Sequence, residues 1–156
     1  MIEIDVPGLT KFRLENLLLD LNGTISIDGK LIAGISGKIA ELKRLLKIYI
    51  ITADTHGKAQ EIAEMLGLSV ESVASGGEQS QKLEFVQALG SGQTVVIGNG
   101  SNDALMLRES ALGICVVGQE GASFQAISNC DVLAVDIVSA LDLLIFPQRL
   151  VATLRK

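Results

Sequence analysis

The chain has 156 residues, enough for one core that buries roughly 70% of the unfolded surface with no disulfide needed. Eighteen acidic against thirteen basic side chains give a net charge of −5 and a pI near 4.8, which argues against nucleic acid or an anionic membrane as partner. Aromatic residues are only 3% with no Trp, so base-stacking surfaces lack material, and the longest apolar stretch, residues 111–117, is far short of the roughly 20 residues that cross a bilayer.

The first residues carry Glu3 and Asp5 where a signal peptide carries basic side chains, so the expected location is the cytoplasm. Residues 2–6, followed by Pro7-Gly8, read as an antiparallel lead-in strand that turns into the first core strand. From there short β-branched runs alternate with amphipathic stretches of helical period, the pattern of βαβ units around a parallel sheet. The expected strands are 15–21, 47–52, 70–74, 94–98, 112–117 and 131–135. The expected helices are 36–46, 57–66, 79–89, 102–109, 121–127 and 137–146, several opened by Ser, Asn or Asp.

Between these elements, residues 25–32 alternate around Asp28-Gly29, a two-residue hairpin signal, and predict a small β-flap. Ile25, Ile27, Leu31 and Ile32 would then seek cover, which predicts a homo-oligomer formed through the flap. No repeat, linker or low-complexity segment divides the chain, so one α/β domain over 1–156 is expected. Lys38, Lys43, Arg44 and Lys47 along the first helix read as a solvated face. Cys115 and Cys130 lack metal spacing and read as buried free thiols. The single histidine, His56, leaves too few soft ligands for zinc.

Ligands of parallel sheets sit outside the carboxyl ends of the strands, so polar residues just after a strand carry the most information. Asp20-Leu21-Asn22-Gly23-Thr24 ends the apolar run Leu17–Leu19. An acid there is costly unless it is hydrogen-bonded, paired or metal-bound, and the amides of Gly23 and Thr24 offer the simplest satisfaction. Thr52 closes the next strand, where a hydroxyl and following amides, Ala53 first, suit either a phosphate oxygen or a plain helix cap. Lys82 on the helix 79–89 has no meaning alone beyond a solvated side chain. Gly98-Asn99-Gly100-Ser101-Asn102-Asp103 joins a glycine turn to a candidate cap, Asn102, and an acid, Asp103, able to face the same pocket.

Together, in this order, Asp20–Thr24, Thr52, Lys82 and Gly98–Asp103 resemble the four motifs of the haloacid dehalogenase superfamily of phosphotransferases. The last is similar to the GDGxND of P-type ATPases and phosphoserine phosphatases. The resemblance runs from residue 14 to about 118. It implies a three-layer Rossmann-like parallel sheet with helices on both faces, Mg²⁺ as cofactor, and an aspartyl-phosphate intermediate. By the same resemblance Asp20 is the nucleophile, and Asp20, the carbonyl of Asn22, Asn99 and Asp103 hold the cation. Thr52 and Lys82 contact the phosphoryl group, with Gly23, Thr24, Ala53, Gly100 and Asn102 around it.

Two residues depart from that pattern. Asn22 stands where most phosphatases of the superfamily have the Asp that protonates the leaving oxygen and then activates water, a loss worth roughly 10²–10⁴ in rate. Asn99 stands where an Asp usually binds metal, which depletes the charge available to a hard cation. Only the eleven residues 25–35 lie between Thr24 and Ser36, and one helix and one strand fill the interval from Thr52 to Lys82, so no cap domain is expected. Two readings follow: a slow Mg²⁺-dependent hydrolase acting on a phosphorylated substrate or ATP, and a non-catalytic phosphate-binding or regulatory module of the same fold.

Overall fold

In the computed structural model of the protein, residues 1–54 and 57–156 are described; His56 lies outside them. A six-stranded, wholly parallel sheet forms the centre, in the order β10-β9-β8-β3-β6-β7. The strands are β3 (Asn16–Asp20), β6 (Lys47–Thr52), β7 (Ser69–Ser72), β8 (Thr94–Gly98), β9 (Leu112–Val116) and β10 (Val132–Ala134). The central strands β3, β8 and β9 are buried from end to end, as expected when helices cover both faces of a sheet.

The period-two alternation of these strands divides the core in two. Leu17 and Leu19 of β3, Ile48 and Ile50 of β6, and Val95 and Ile97 of β8 point to one face. There they meet α1 (Ser36–Leu42), α2 (Lys58–Leu66) and α6 (Ile137–Ile145) through Ile39, Ile62 and Leu141. Leu18, Ile51, Val96 and Cys115 point to the other face and meet α3 (Glu78–Leu89), α4 (Ala104–Glu109) and α5 (Phe124–Ser128) through Val86, Leu107 and Ala126. Helix, sheet and helix make the three expected layers.

The N-terminal strand β1 (Ile2–Val6) does not turn directly into the core strand. It pairs with an additional strand, β2 (Thr10–Leu14), in a separate antiparallel hairpin whose inward residues Ile4, Val6, Phe12 and Leu14 join the first core face. A C-terminal helix, α7 (Pro147–Leu154), packs on β1; the chain does not end its structure at Pro147, because proline at the first helical position loses only an amide that has no intrahelical partner. α1 is shorter than its apolar pattern and stops at Leu42. Lys43 then caps another helix, donating to the carbonyls of Leu66 (3.1 Å) and Gly67 (2.8 Å) at the end of α2. Lys38 pairs with Asp142 of α6, so this basic face is partly tied to neighbouring helices.

The flap consists of β4 (Ser26–Ile27) and β5 (Lys30–Leu31). Asp28 at φ 51° and Gly29 at φ 74° adopt the doubly left-handed turn that matches the twist of a tight hairpin. Ile25 is fully buried in the first core face, and Leu31 and Ile32 pack against it. Ile25 is thus covered by its own chain, whereas Ile27, Leu31 and Ile32 keep part of their apolar surface exposed. Among the described residues no single helix is long and apolar enough to cross a membrane.

Candidate functional site

Three adjacent central strands, β8, β3 and β6, end side by side, and their carboxyl ends carry Asn99, Asp20 and Thr52. A cavity of about 750 Å³ opens there. Asp20, Asn22, Thr52, Ala53, Lys82, Asn99, Gly100 and Asn102 line it, so eight of the residues singled out in the sequence converge on one space.

Lys82 is the centre of the arrangement. It projects from α3 and is completely buried, with Nζ donating to Asp20 Oδ1 and Asp103 Oδ1, each at 2.7 Å. A buried ammonium is tolerable only when its charge is paired and its protons are accepted, and here two carboxylates do both. Burial pushes the Lys82 pKa down, but Asp20 and Asp103 push it further up, so it remains a cation.

Asp20 has the opposite balance. Burial, aided by Asp103, raises its carboxyl to about 7 against the pull of Lys82 and of a hydrogen bond from Thr24. The simple satisfaction of Asp20 by turn amides does not occur: Gly23 N donates to Ser26 O at 2.8 Å and Thr24 N to Leu21 O at 3.3 Å. Instead the Thr24 hydroxyl lies 3.1 Å from Asp20 Oδ2 and 3.2 Å from Asn99 Oδ1, and its one proton serves a single acceptor at a time.

Gly23, Thr24 and Asp103 stand apart from the other expected site residues because they lie beneath the cavity rather than on its lining. Asp103 does not face the pocket. One oxygen takes Lys82, and the other takes the amides of Asn99 (3.0 Å) and Gly100 (2.9 Å), which closes the glycine turn. Asp103, not Asn102, thus satisfies the free amides at the start of the short 3₁₀ turn Ser101–Asp103. The Thr52 hydroxyl accepts from Asp54 N at 3.0 Å, so its role as a local turn former is realised even as it lines the cavity.

Among the described residues the lining also includes Ser101, named in the sequence only as part of the Gly98–Asp103 motif, and Asp54, Ser75 and Glu120, which sequence reasoning did not single out. Glu120 follows β9, and the rule of searching just past strand ends applied to it as well. Cys115 is buried in the second core face, where burial first and Cys130 next raise its thiol to about 12; Cys130 is only partly buried. Among the described residues no three His, Cys, Asp or Glu side chains gather into a self-sufficient metal centre. Asp20, Asn22 and Asn99, which line the cavity, offer a cation a carboxylate and amide oxygens, all of them hard donors. That chemistry suits Mg²⁺, which keeps several waters and needs only one or two carboxylates.

The model of the haloacid dehalogenase-like hydrolase family matches residues 1–110. An uncharacterised protein of Methanocaldococcus jannaschii is 40% identical over 92 residues, which are 56% of this chain and 99% of that protein. A soluble P-type ATPase-like phosphatase of the same organism is 25% identical over 123 residues, covering 77% of this chain but 45% of the phosphatase. In fold, the chain is similar to the 3-deoxy-D-manno-octulosonate 8-phosphate phosphatase of Moraxella catarrhalis, solved with magnesium ion, phosphate ion and KDO. The TM-score is 0.72 at 17% identity, over 90% of this chain and 92% of that one.

Proposed function

Because the chain belongs to the haloacid dehalogenase-like hydrolase family, we propose that it hydrolyses a phosphate monoester or ATP by way of a phosphoryl group held on Asp20. The observation that carries this reading is the buried Asp20–Lys82–Asp103 chain, whose Asp20 and Lys82 line a polar cavity at the end of the central strand.

In the first step an Asp20 oxygen bonds to phosphorus while the bond from phosphorus to the leaving oxygen breaks. Lys82 balances the negative charge that the phosphoryl group brings, and the Thr52 hydroxyl orients one of its oxygens. In the second step water attacks the same phosphorus, the phosphorus–Asp20 bond breaks, and inorganic phosphate leaves. Phosphoryl transfer of this kind needs positioning and charge neutralisation more than covalent assistance. Asn22 has no proton to give the leaving oxygen and cannot take one from water, so solvent must serve in both steps and turnover is slow.

Mg²⁺ would be held by Asp20, the Asn22 carbonyl and Asn99, with Asp103 anchoring the turn beneath, and would supply positive charge to the phosphoryl oxygens. The flap is too small to enclose a substrate, so a leaving group of almost any size can extend from the cavity. Unpaired thiols at Cys115 and Cys130 agree with a cytoplasmic location.

Incubation with labelled phosphate donors, including ATP and a panel of monoesters, tests the reading. The protein should acquire acid-stable, hydroxylamine-labile label that Asp20→Asn abolishes. No label from any donor, with Mg²⁺ bound and the fold intact, would leave a phosphate-binding module in place of an enzyme.

A further inference from the structure

We propose that Glu120 supplies the cation site with the negative charge that Asn99 lacks, an inference that rests on the cation-dependent reading above. The loop after β9 is built against the Asp20 turn from two directions. Asn99 Nδ2 donates to the Gly121 carbonyl at 3.2 Å, and Ser123 N donates to the Asn99 carbonyl at 2.9 Å, so Asn99 itself is the clamp that holds the loop. Within the loop, Gly121 N reaches back to the Gly118 carbonyl at 3.4 Å, and this turn carries Glu120 at its tip.

The carboxylate points inward. A Cβ placed on Gly23 would lie 2.5 Å from Glu120 Oε2 and 2.4 Å from Asn99 Nδ2, so the acid and the amide meet over the same backbone atom. That atom belongs to the turn between the Asn22 carbonyl and Thr24, the donor of the hydrogen bond to Asp20. Glu120 also lines the same cavity as Asp20, Asn22 and Asn99. The side chain is exposed and has two methylenes, so it can shorten or lengthen its reach without disturbing the fold.

Charge explains why a carboxylate is worth having there. Of the two acids at the floor, Asp103 is fully occupied by Lys82 and two backbone amides, and Asp20 shares Lys82. Their combined charge of −2 meets +1 from the lysine; of the other acids lining the cavity, Asp54 follows β6 on the Thr52 side, whereas Glu120 follows β9 and brings its negative charge to the Asn99 side. The side of the site it approaches is the Asn99 side, where the amide offers a cation a neutral oxygen at best.

The test is a calorimetric titration of Mg²⁺ into the full-length wild type, E120Q, N99D and E120Q/N99D, with thermal unfolding of each cation-free protein alongside. E120Q should weaken the Mg²⁺ Kd by about 10- to 100-fold, the range seen when groups supporting a metal site are neutralised. Because Glu120 is exposed, its cation-free Tm should stay at the wild-type value. N99D placed in the E120Q background should recover most of the affinity, since it returns the charge to the same side of the site. An unchanged Kd in E120Q, with the wild type binding normally, overturns the role of Glu120 while leaving the phosphoryl-transfer reading standing. Failure of the wild type to bind Mg²⁺ at millimolar concentration overturns both.

Discussion

Lys82→Met is the most informative single perturbation of stability. Methionine keeps the length and apolar stem of the lysine but removes the ammonium that holds Asp20 and Asp103 at 2.7 Å. All three groups are buried, with exposures of 0% for Lys82 and Asp103 and 6% for Asp20. Removing one partner from a buried ionic cluster strands the others, at about 3–5 kcal/mol. For a chain of this size that corresponds to a fall in Tm of roughly 6–20 °C. The loss should depend on pH. Without the ammonium the Asp20 carboxyl rises further above its value of about 7, so the variant must hold there a proton that the wild type gives up near pH 7, and its deficit should be smaller at pH 5 than at pH 8. A second substitution, Asp103→Asn, should restore part of the stability at pH 8, because an amide oxygen still accepts from Asn99 N and Gly100 N. Urea unfolding of the three proteins at pH 5 and 8 measures these differences. A K82M variant within about 1 kcal/mol of wild type at pH 8, or a deficit that does not move with pH, would refute the view that this lysine is held by charge.

The Asp20 carboxyl is raised from 3.8 to about 7, so the stability its proton provides is complete below pH 3.8 and lost as pH rises through 7. Mg²⁺ competes with that proton, and the rise in Tm on adding Mg²⁺ should therefore be larger at pH 8 than at pH 5.5, as read by differential scanning calorimetry. Asn22→Asp should speed decay of the phosphorylated protein, with 10²–10⁴-fold as the ceiling set by restored acid–base help, measured by chasing bound label. Asn99→Asp should tighten Mg²⁺ yet lower cation-free stability by about 1–3 kcal/mol, because the carboxylate cannot donate to the Gly121 carbonyl and faces Glu120.

Strands β3, β6 and β8 were legible because each is a short, β-branched or leucine-rich run that burial on two faces demands, and their ends coincide with the polar residues that matter. β2 was not legible in the same way. Lys11 and Arg13 alternate with Phe12 and Leu14, so only one face is apolar, and the run is too short to separate from the strand that follows Glu15 without knowing its partner. α7 lies beyond the last expected helix, 137–146, and opens at Pro147, whose fixed backbone angle suits a first helical position. The flap's turn was readable from Asp28-Gly29, but the destination of Ile25 was not, since alternation says which side chains share a face and not what that face meets.

Within the site, the resemblance located the residues and the structure altered how they relate. A lysine on a polar helix reads as solvated, because the partners that bury Lys82 lie 62 and 21 residues away in sequence. Asp103 reads as an acid able to face the pocket because it follows a strand end, with Asn102 as the cap; in the structure Asp103 takes the capping amides on its second oxygen. Glu120 had a weak local signal, an acid between Gly118 and Gly121 just past a strand. What distinguishes it from any other loop acid is that Asn99, the residue whose neutrality creates the deficit, uses that same amide to bind the loop. An aspartate at 99 would restore the charge at the floor but lose the bond from Nδ2 to the Gly121 carbonyl, while the Ser123 amide would still reach the carbonyl of residue 99; the amide thus trades a charge on the cation side for a second anchor on the loop that carries Glu120.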